Sequence, residues 1–126
     1  MSKKSLPVVD VTGPGDVGAD ECCSSLTSEP LGEERAVELA RVFKAMGDPV
    51  RLRLLSLIAS NQGGEACVCE LTGVFDLSGP TISHHLKVLR EAALITGERR
   101  GTWVYYRVVR ERLTQVSMLL DLAPAT

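Results

Sequence analysis

A mainly α-helical domain closed by one small β-hairpin is the fold class that this sequence predicts, on three observations. Apolar residues recur at three- and four-residue spacing through most of the chain after Gly32. That spacing gives way to strand character only between Leu94 and Val109, around Gly101 beside two arginines. Aromatics make up 4% of the 126 residues against 44% apolar, so the core has to be aliphatic.

Residues 1–30 stand apart. They are rich in Gly, Pro, Ser, Asp and Val, and Gly13-Pro14-Gly15 breaks any regular structure. A flexible tail carrying Cys22-Cys23 is expected there. The remainder, 31–123, is expected to form one domain, the length being too short for two ordinary ones. In the first helix Ala36, Leu39, Ala40, Phe43 and Met46 make one apolar face, and Gly47 ends it. Asp48-Pro49 then starts a second helix, a cap followed by proline at the first helical position. It runs from about Val50 to Ser60, with Leu52, Leu55 and Ile58 inward. Asn61-Gln62-Gly63-Gly64 is a turn.

A short third segment, Glu65 to Val74, holds Cys67, Cys69 and Leu71. Ser78 is placed to cap the next helix, with Pro80 inside its first turn. Ile82, Leu86, Leu89 and Ala93 form the buried stripe of that helix. Its other face carries Thr81, Ser83, His84, Lys87 and Arg90, all hydrogen-bonding residues. Helix, short turn and a helix with a polar, basic outer face is the arrangement of a helix-turn-helix. A hairpin follows with a charged tip at Glu98-Arg99-Arg100-Gly101; Trp103, Tyr105 and Tyr106 are expected to pack within it. Leu113, Val116, Leu119 and Leu120 define a last helix, a natural dimer element. The predicted order, α-α-α-α-β-β-α, is a winged helix-turn-helix, expected as a homodimer.

The net charge of −2 hides a division. Residues 1–30 carry Lys3 and Lys4 against Asp10, Asp16, Asp20, Glu21 and Glu29. Between 78 and 112, seven Lys or Arg face only Glu91, Glu98 and Glu111. A local basic stripe matters more for phosphate contact than the global sum. No apolar run reaches the roughly 18 residues of a membrane span, and the first 20 residues lack a signal-like apolar stretch. A cytoplasmic chain with no membrane partner is therefore expected. Enzyme function is disfavoured: no C-x-x-C follows a strand, no βαβ pattern exists, and both histidines fall in the recognition segment.

Three motifs carry a resemblance. Residues 47–55, G-D-P-V-R-L-R-L-L, precede residues 66–71, A-C-V-C-E-L, and residues 77–89, L-S-G-P-T-I-S-H-H-L-K-V-L. In this order they resemble the ArsR/SmtB family of metal-responsive repressors: its second-helix signature, its thiol metal-box and its recognition helix. The resemblance covers about residues 36–122. It implies a homodimeric winged-helix repressor that binds double-stranded operator DNA and controls a metal-resistance or homeostasis operon, without an organic cofactor or small organic substrate. Two departures narrow the inducer. The arsenite branch of the family often has a third cysteine where this chain has Thr72, and Glu111 to Thr126 contains no His for the family's C-terminal zinc site.

Thiolates select soft ions such as As(III), Sb(III), Cd(II), Pb(II), Cu(I) and Zn(II). On an ideal helix Cys67 and Cys69 would stand about 200° apart, so clasping one ion requires a helix end or an unwound turn. Cys22 and Cys23 on the tail are the obvious remaining donors, making Cys22, Cys23, Cys67 and Cys69 the expected metal site. The vicinal tail pair resembles the arsenite-sensing branch, so As(III), or Sb(III), is the expected inducer. Cd(II) or Pb(II) sensing, and thiol redox or persulfide sensing, remain alternatives. Disulfides are not expected in a reducing compartment.

Ser78, Thr81, Ser83, His84 and His85 occupy the helix half that enters the major groove in helix-turn-helix docking. Lys87 and Arg90 are expected on phosphates. His85, beside buried Leu86, is open between a packing role and a DNA contact. Gly79 stands where the family usually has Gln. Arg99 and Arg100, at the hairpin tip, are expected on the minor groove or backbone.

Overall fold

The computed structural model describes residues 25–122. Its elements are α1 (Glu33–Met46), α2 (Pro49–Ser60), a 3-10 turn (Gln62–Gly64), β1 (Glu65–Cys67), α3 (Val68–Thr72), α4 (Gly79–Glu91), β2 (Ile95–Arg100), β3 (Trp103–Val108) and α5 (Arg110–Leu120). The winged helix-turn-helix is present, with five helices and the expected hairpin among the described residues.

Local chemistry sets the helix ends. The Asp48 carboxylate accepts from the N–H groups of Val50 (3.0 Å) and Arg51 (3.2 Å), and Pro49 needs no acceptor of its own. The Ser78 hydroxyl accepts from the Thr81 N–H at 3.3 Å, as its position foretold. At the far end of α4 the Leu94 N–H donates to the Leu89 carbonyl and the Ala93 N–H to that of Arg90. That pair of bonds is a Schellman motif, and Ala93 takes the left-handed position at φ 62°. Ala93 therefore lies beyond the buried stripe in which the spacing placed it.

The core is aliphatic. Leu54, Ile58, Ile82, Leu89 and Leu94 have no exposed surface, and Leu86 and Ile95 almost none. Burying each such side chain contributes about 1.5–3 kcal/mol. The inward faces of the first two helices differ from expectation. In α1 the buried residues are Leu39, Val42 and Ala45, while Phe43 is 36% exposed. In α2 Leu54, Leu55 and Ile58 turn inward and Leu52 is 50% exposed. In each helix two apolar stripes compete at similar spacing, and packing against α4 and the sheet selects one.

The larger departure is a third strand. β1 pairs antiparallel with β3, giving the sheet order β1-β3-β2. Across it Glu65 faces Arg107, Ala66 faces Tyr106 and Cys67 faces Tyr105; Tyr105 in turn faces Glu98 of β2. The hairpin is thus supported along one edge by the strand that ends at the first cysteine of the C-x-C motif. Gly97 lies opposite Tyr106, where an added Cβ would meet the ring at 3.1 Å. Tyr106 is buried, as expected of a packing residue, whereas Trp103 is 51% exposed at the tip and does not pack as expected.

Candidate DNA interface and thiol site

The thiol pair sits at a joint. Cys67 ends β1 and caps α3 with extended backbone angles, while Cys69 lies in the first turn of that five-residue helix. Its Sγ accepts the Cys69 N–H at 3.3 Å, and the Glu70 carboxylate accepts the Cys67 N–H at 2.9 Å. This is a capping box with sulfur in the place of a hydroxyl. Because Cys67 is outside the helix proper, the 200° separation of an ideal helix does not apply. The two Cα atoms are 5.2 Å apart and the sulfurs are joined as a disulfide, against the expectation of two free thiols. Cys67 is 4% exposed, and Cys69 faces solvent. Once reduced, the pair offers two adjacent soft donors, one shielded and one accessible, which suit a thiophilic ion that takes its remaining donors from elsewhere. Cys22 and Cys23 lie outside the described residues. Just after them, the Leu26 N–H donates to the Leu119 carbonyl at 2.9 Å, tying the end of the N-terminal segment to α5. Among the described residues no cluster of three or more His, Cys, Asp or Glu could hold a metal ion.

The recognition helix follows α3 after the short turn 73–78. Ser78, Thr81, Ser83, His84, Lys87 and Arg90 are all exposed along α4, and the Ser78 and Thr81 hydroxyls bond each other at 2.8 Å. Ile82, Leu86 and Leu89 hold the opposite face against the core. His85 is half-buried, and its Nδ1 lies 3.2 Å from Arg51 Nη1. The same arginine donates from Nε to the Ala45 carbonyl at 2.7 Å and from Nη2 to that of Lys44 at 3.4 Å. His85 is thereby fastened to the α1–α2 corner, the packing role that the sequence left open. Arg51 itself was not foreseen as a site residue; its place three after a capping Asp48 was the available signal.

The wing separates its two arginines. Arg99 is exposed and makes no ion pair among the described residues. Arg100 belongs to β2, with the tip formed by Gly101 and Thr102, and it is engaged on several sides. Glu65 accepts from Nη1 at 3.0 Å and Nη2 at 2.8 Å, while Glu98 accepts from Nε at 3.2 Å and Nη2 at 2.8 Å. The guanidinium also lies 4.5 Å over the Tyr105 ring. Arg107 Nη2 reaches the same Glu65 at 3.0 Å. These hydrogen bonds, first that from Arg100, hold the Glu65 carboxyl below its ordinary range and raise the Arg100 pKa.

Comparison with known proteins converges on one family. The bacterial regulatory protein, arsR family, matches residues 48–96, the span from the capping Asp48 through the recognition helix. An HTH-type transcriptional regulator of Methanocaldococcus jannaschii is 40% identical over 88 residues, covering 70% of this chain and 97% of that protein. The chain belongs to the arsR family. An arsenic resistance transcriptional regulator of Pseudomonas putida is 52% identical over 67 residues, 53% of this chain and 51% of its own. A cadmium resistance regulatory protein homologue of Staphylococcus aureus is 30% identical, covering 68% of this chain and 69% of its own. A crystal structure of an ArsR family transcriptional regulator superposes with a TM-score of 0.57 at 28% identity, over 64% of this chain and 79% of that one. The protein is a helix-turn-helix regulator of transcription and not an enzyme. No helix among the described residues is long and apolar enough to cross a membrane.

Proposed function

We propose that the chain is a repressor that binds operator DNA as a homodimer and leaves it when Cys67 and Cys69, joined by Cys22 and Cys23, capture As(III) or Sb(III). The observation that carries this reading is the place of the Cys67–Cys69 pair. It caps the helix immediately before the recognition helix, with the two Cα atoms 5.2 Å apart. An ion bound there favours one arrangement of the β1–α3 joint over another, which is the differential interaction that ligand-driven release requires. Three thiolates suit trigonal As(III), so at least one tail cysteine has to contribute. The names of the relatives from arsenic resistance support the same inducer.

α4 would enter the major groove with Ser78, Thr81, Ser83 and His84 toward base edges, Lys87 and Arg90 on phosphates, and Arg99 at the backbone beside the wing. His85 would act by positioning α4 rather than by touching DNA. Dimerisation is supported by α1 and α5, which Arg112 and Glu38 link at 2.9 Å. On these helices and the segments that adjoin α5, Leu26, Val37, Leu120 and Leu122 are each about half exposed. Apolar side chains left half exposed on helices of a small domain favour a second copy that covers them.

The test is a gel-shift titration of the reduced protein on an inverted-repeat duplex with arsenite, cadmium or zinc. Release at micromolar arsenite is expected, and its survival in the Cys67→Ser/Cys69→Ser double variant would sink the assignment. Cadmium sensing is the second reading, favoured by four available thiols and by the cadmium-resistance relative. Release by cadmium at lower concentration than arsenite would select it.

A further inference from the structure

The wing carries a charge network that joins Arg100, Arg107, Glu65 and Glu98. Arg100 is the cation nearest the hairpin tip on the sheet face that also bears Glu65, Cys67, Glu98, Tyr105 and Arg107, since residues facing each other across strands share a face. Each of its three guanidinium nitrogens donates to a carboxylate, and Glu65 grips it in the two-pronged way that a phosphate does. Glu65 is 21% exposed and held in place on β1, whereas Glu98 is 67% exposed at the strand surface. Glu65 also receives Arg107, so it is the acceptor on which Arg100 and Arg107 converge.

We propose that Glu65 is a positioning residue that acts as an internal substitute for a DNA phosphate, holding Arg100 back from the operator backbone. The two carboxylates take four of its five N–H groups, so a two-pronged grip on a DNA phosphate requires Arg100 to give up bonds to them. The wing then presents Arg99 to DNA directly and keeps Arg100 as a contact whose availability Glu65 sets. Glu65 stands two residues before Cys67 on β1, and the ring under Arg100 belongs to Tyr105, the cross-strand partner of Cys67. Two of the three groups that fix Arg100 on this face are therefore tied to β1, Glu65 by lying on it and Tyr105 by standing opposite Cys67.

This inference rests on the operator-binding reading, and the experiment keeps the two apart. Binding to a duplex selected by the wild-type protein is measured across a salt series for wild type, Glu65→Gln, Arg100→Gln and the double variant. Glu65→Gln is expected to bind about three- to tenfold more tightly at low salt, with a log–log salt slope steeper by about one, the signature of one added phosphate contact. That gain should vanish in the Arg100→Gln background, which separates release of Arg100 from the general effect of removing a negative charge. Glu65→Asp, which keeps the charge but shortens the reach, should show a smaller gain and covers the case of a Gln variant that does not fold. Unchanged or weaker binding, or a gain that persists without Arg100, overturns the proposal while wild-type binding leaves the operator reading intact. Absence of salt-dependent binding by the wild type overturns both.

Discussion

Cys67 stands directly opposite Tyr105 in the β1–β3 register, so the first thiol of the C-x-C motif is built into the sheet that carries the wing. The same residue caps α3 through its Sγ. One residue thus links three elements, β1, the wing strand β3 and the helix ahead of the recognition helix.

That double duty makes the thiol's chemistry separable from its structural role. In Cys67→Ser a hydroxyl replaces the sulfur as acceptor for the Cys69 N–H, and Ser is a favoured cap. The variant should fold and bind operator DNA as the wild type does, yet fail to respond to arsenite. Cys67→Ala removes the cap and should lower the unfolding free energy by about 0.5–2 kcal/mol, read by urea denaturation. Equal loss of operator binding in both variants would show that the residue matters for folding alone.

The two neighbouring histidines should divide along the same line. His84 is exposed on α4, while His85 meets Arg51 at the α1–α2 corner. His84→Ala is expected to weaken specific operator binding with little change in stability. Arg51→Ala removes the side-chain bonds to the Ala45 and Lys44 carbonyls as well as the His85 contact. It should cost about 1.5–3 kcal/mol of stability, as charge-assisted hydrogen bonds do. Affinity measured well below the unfolding midpoint, together with denaturation curves, distinguishes the two.

Much of this was legible in the sequence, for a physical reason. Caps and breakers act locally, so Asp48-Pro49, Ser78 and Gly101 marked element ends without reference to the rest of the fold. The recognition helix was readable because Ile82, Leu86 and Leu89 alternate cleanly with polar neighbours. What escaped was set by partners distant in sequence. β1 spans only Glu65–Cys67 and exists because β3 lies beside it, and three residues leave no period to detect. The inward stripe of α2 had two candidates, and only packing excludes Leu52. The engagement of Arg100 by Glu65 joins residues 35 positions apart, a separation that no local pattern encodes.

Acid should weaken the fold through two carboxylates. Asp48 is held below its ordinary pKa chiefly by the Arg51 backbone N–H, and Glu65 by the Arg100 side chain. A carboxyl whose folded pKa is depressed contributes stability above its unfolded value and loses it as pH falls through the folded value. Stability should therefore hold steady from neutral pH down to the ordinary carboxylate range and decline below it. Asp48→Asn keeps a capping oxygen but no titrating proton. Along with Glu65→Gln, it should flatten that decline in urea melts collected from neutral pH into acid.

The turn between recognition helix and wing offers the last test. Ala93 closes the Schellman motif with φ 62°, the one non-glycine residue among those described to take a positive value. The left-handed conformation costs an L-residue roughly 1–2 kcal/mol, because the Cβ crowds the following carbonyl. Glycine avoids that crowding but adds freedom to the unfolded chain, which returns part of the gain. Ala93→Gly should accordingly stabilise the fold by about 0.5–1 kcal/mol, with Leu89 and Leu94 still buried on either side of the cap. A fall in the urea midpoint would mean that the Ala93 methyl, half-buried at the turn, contributes more by packing than its backbone strain removes.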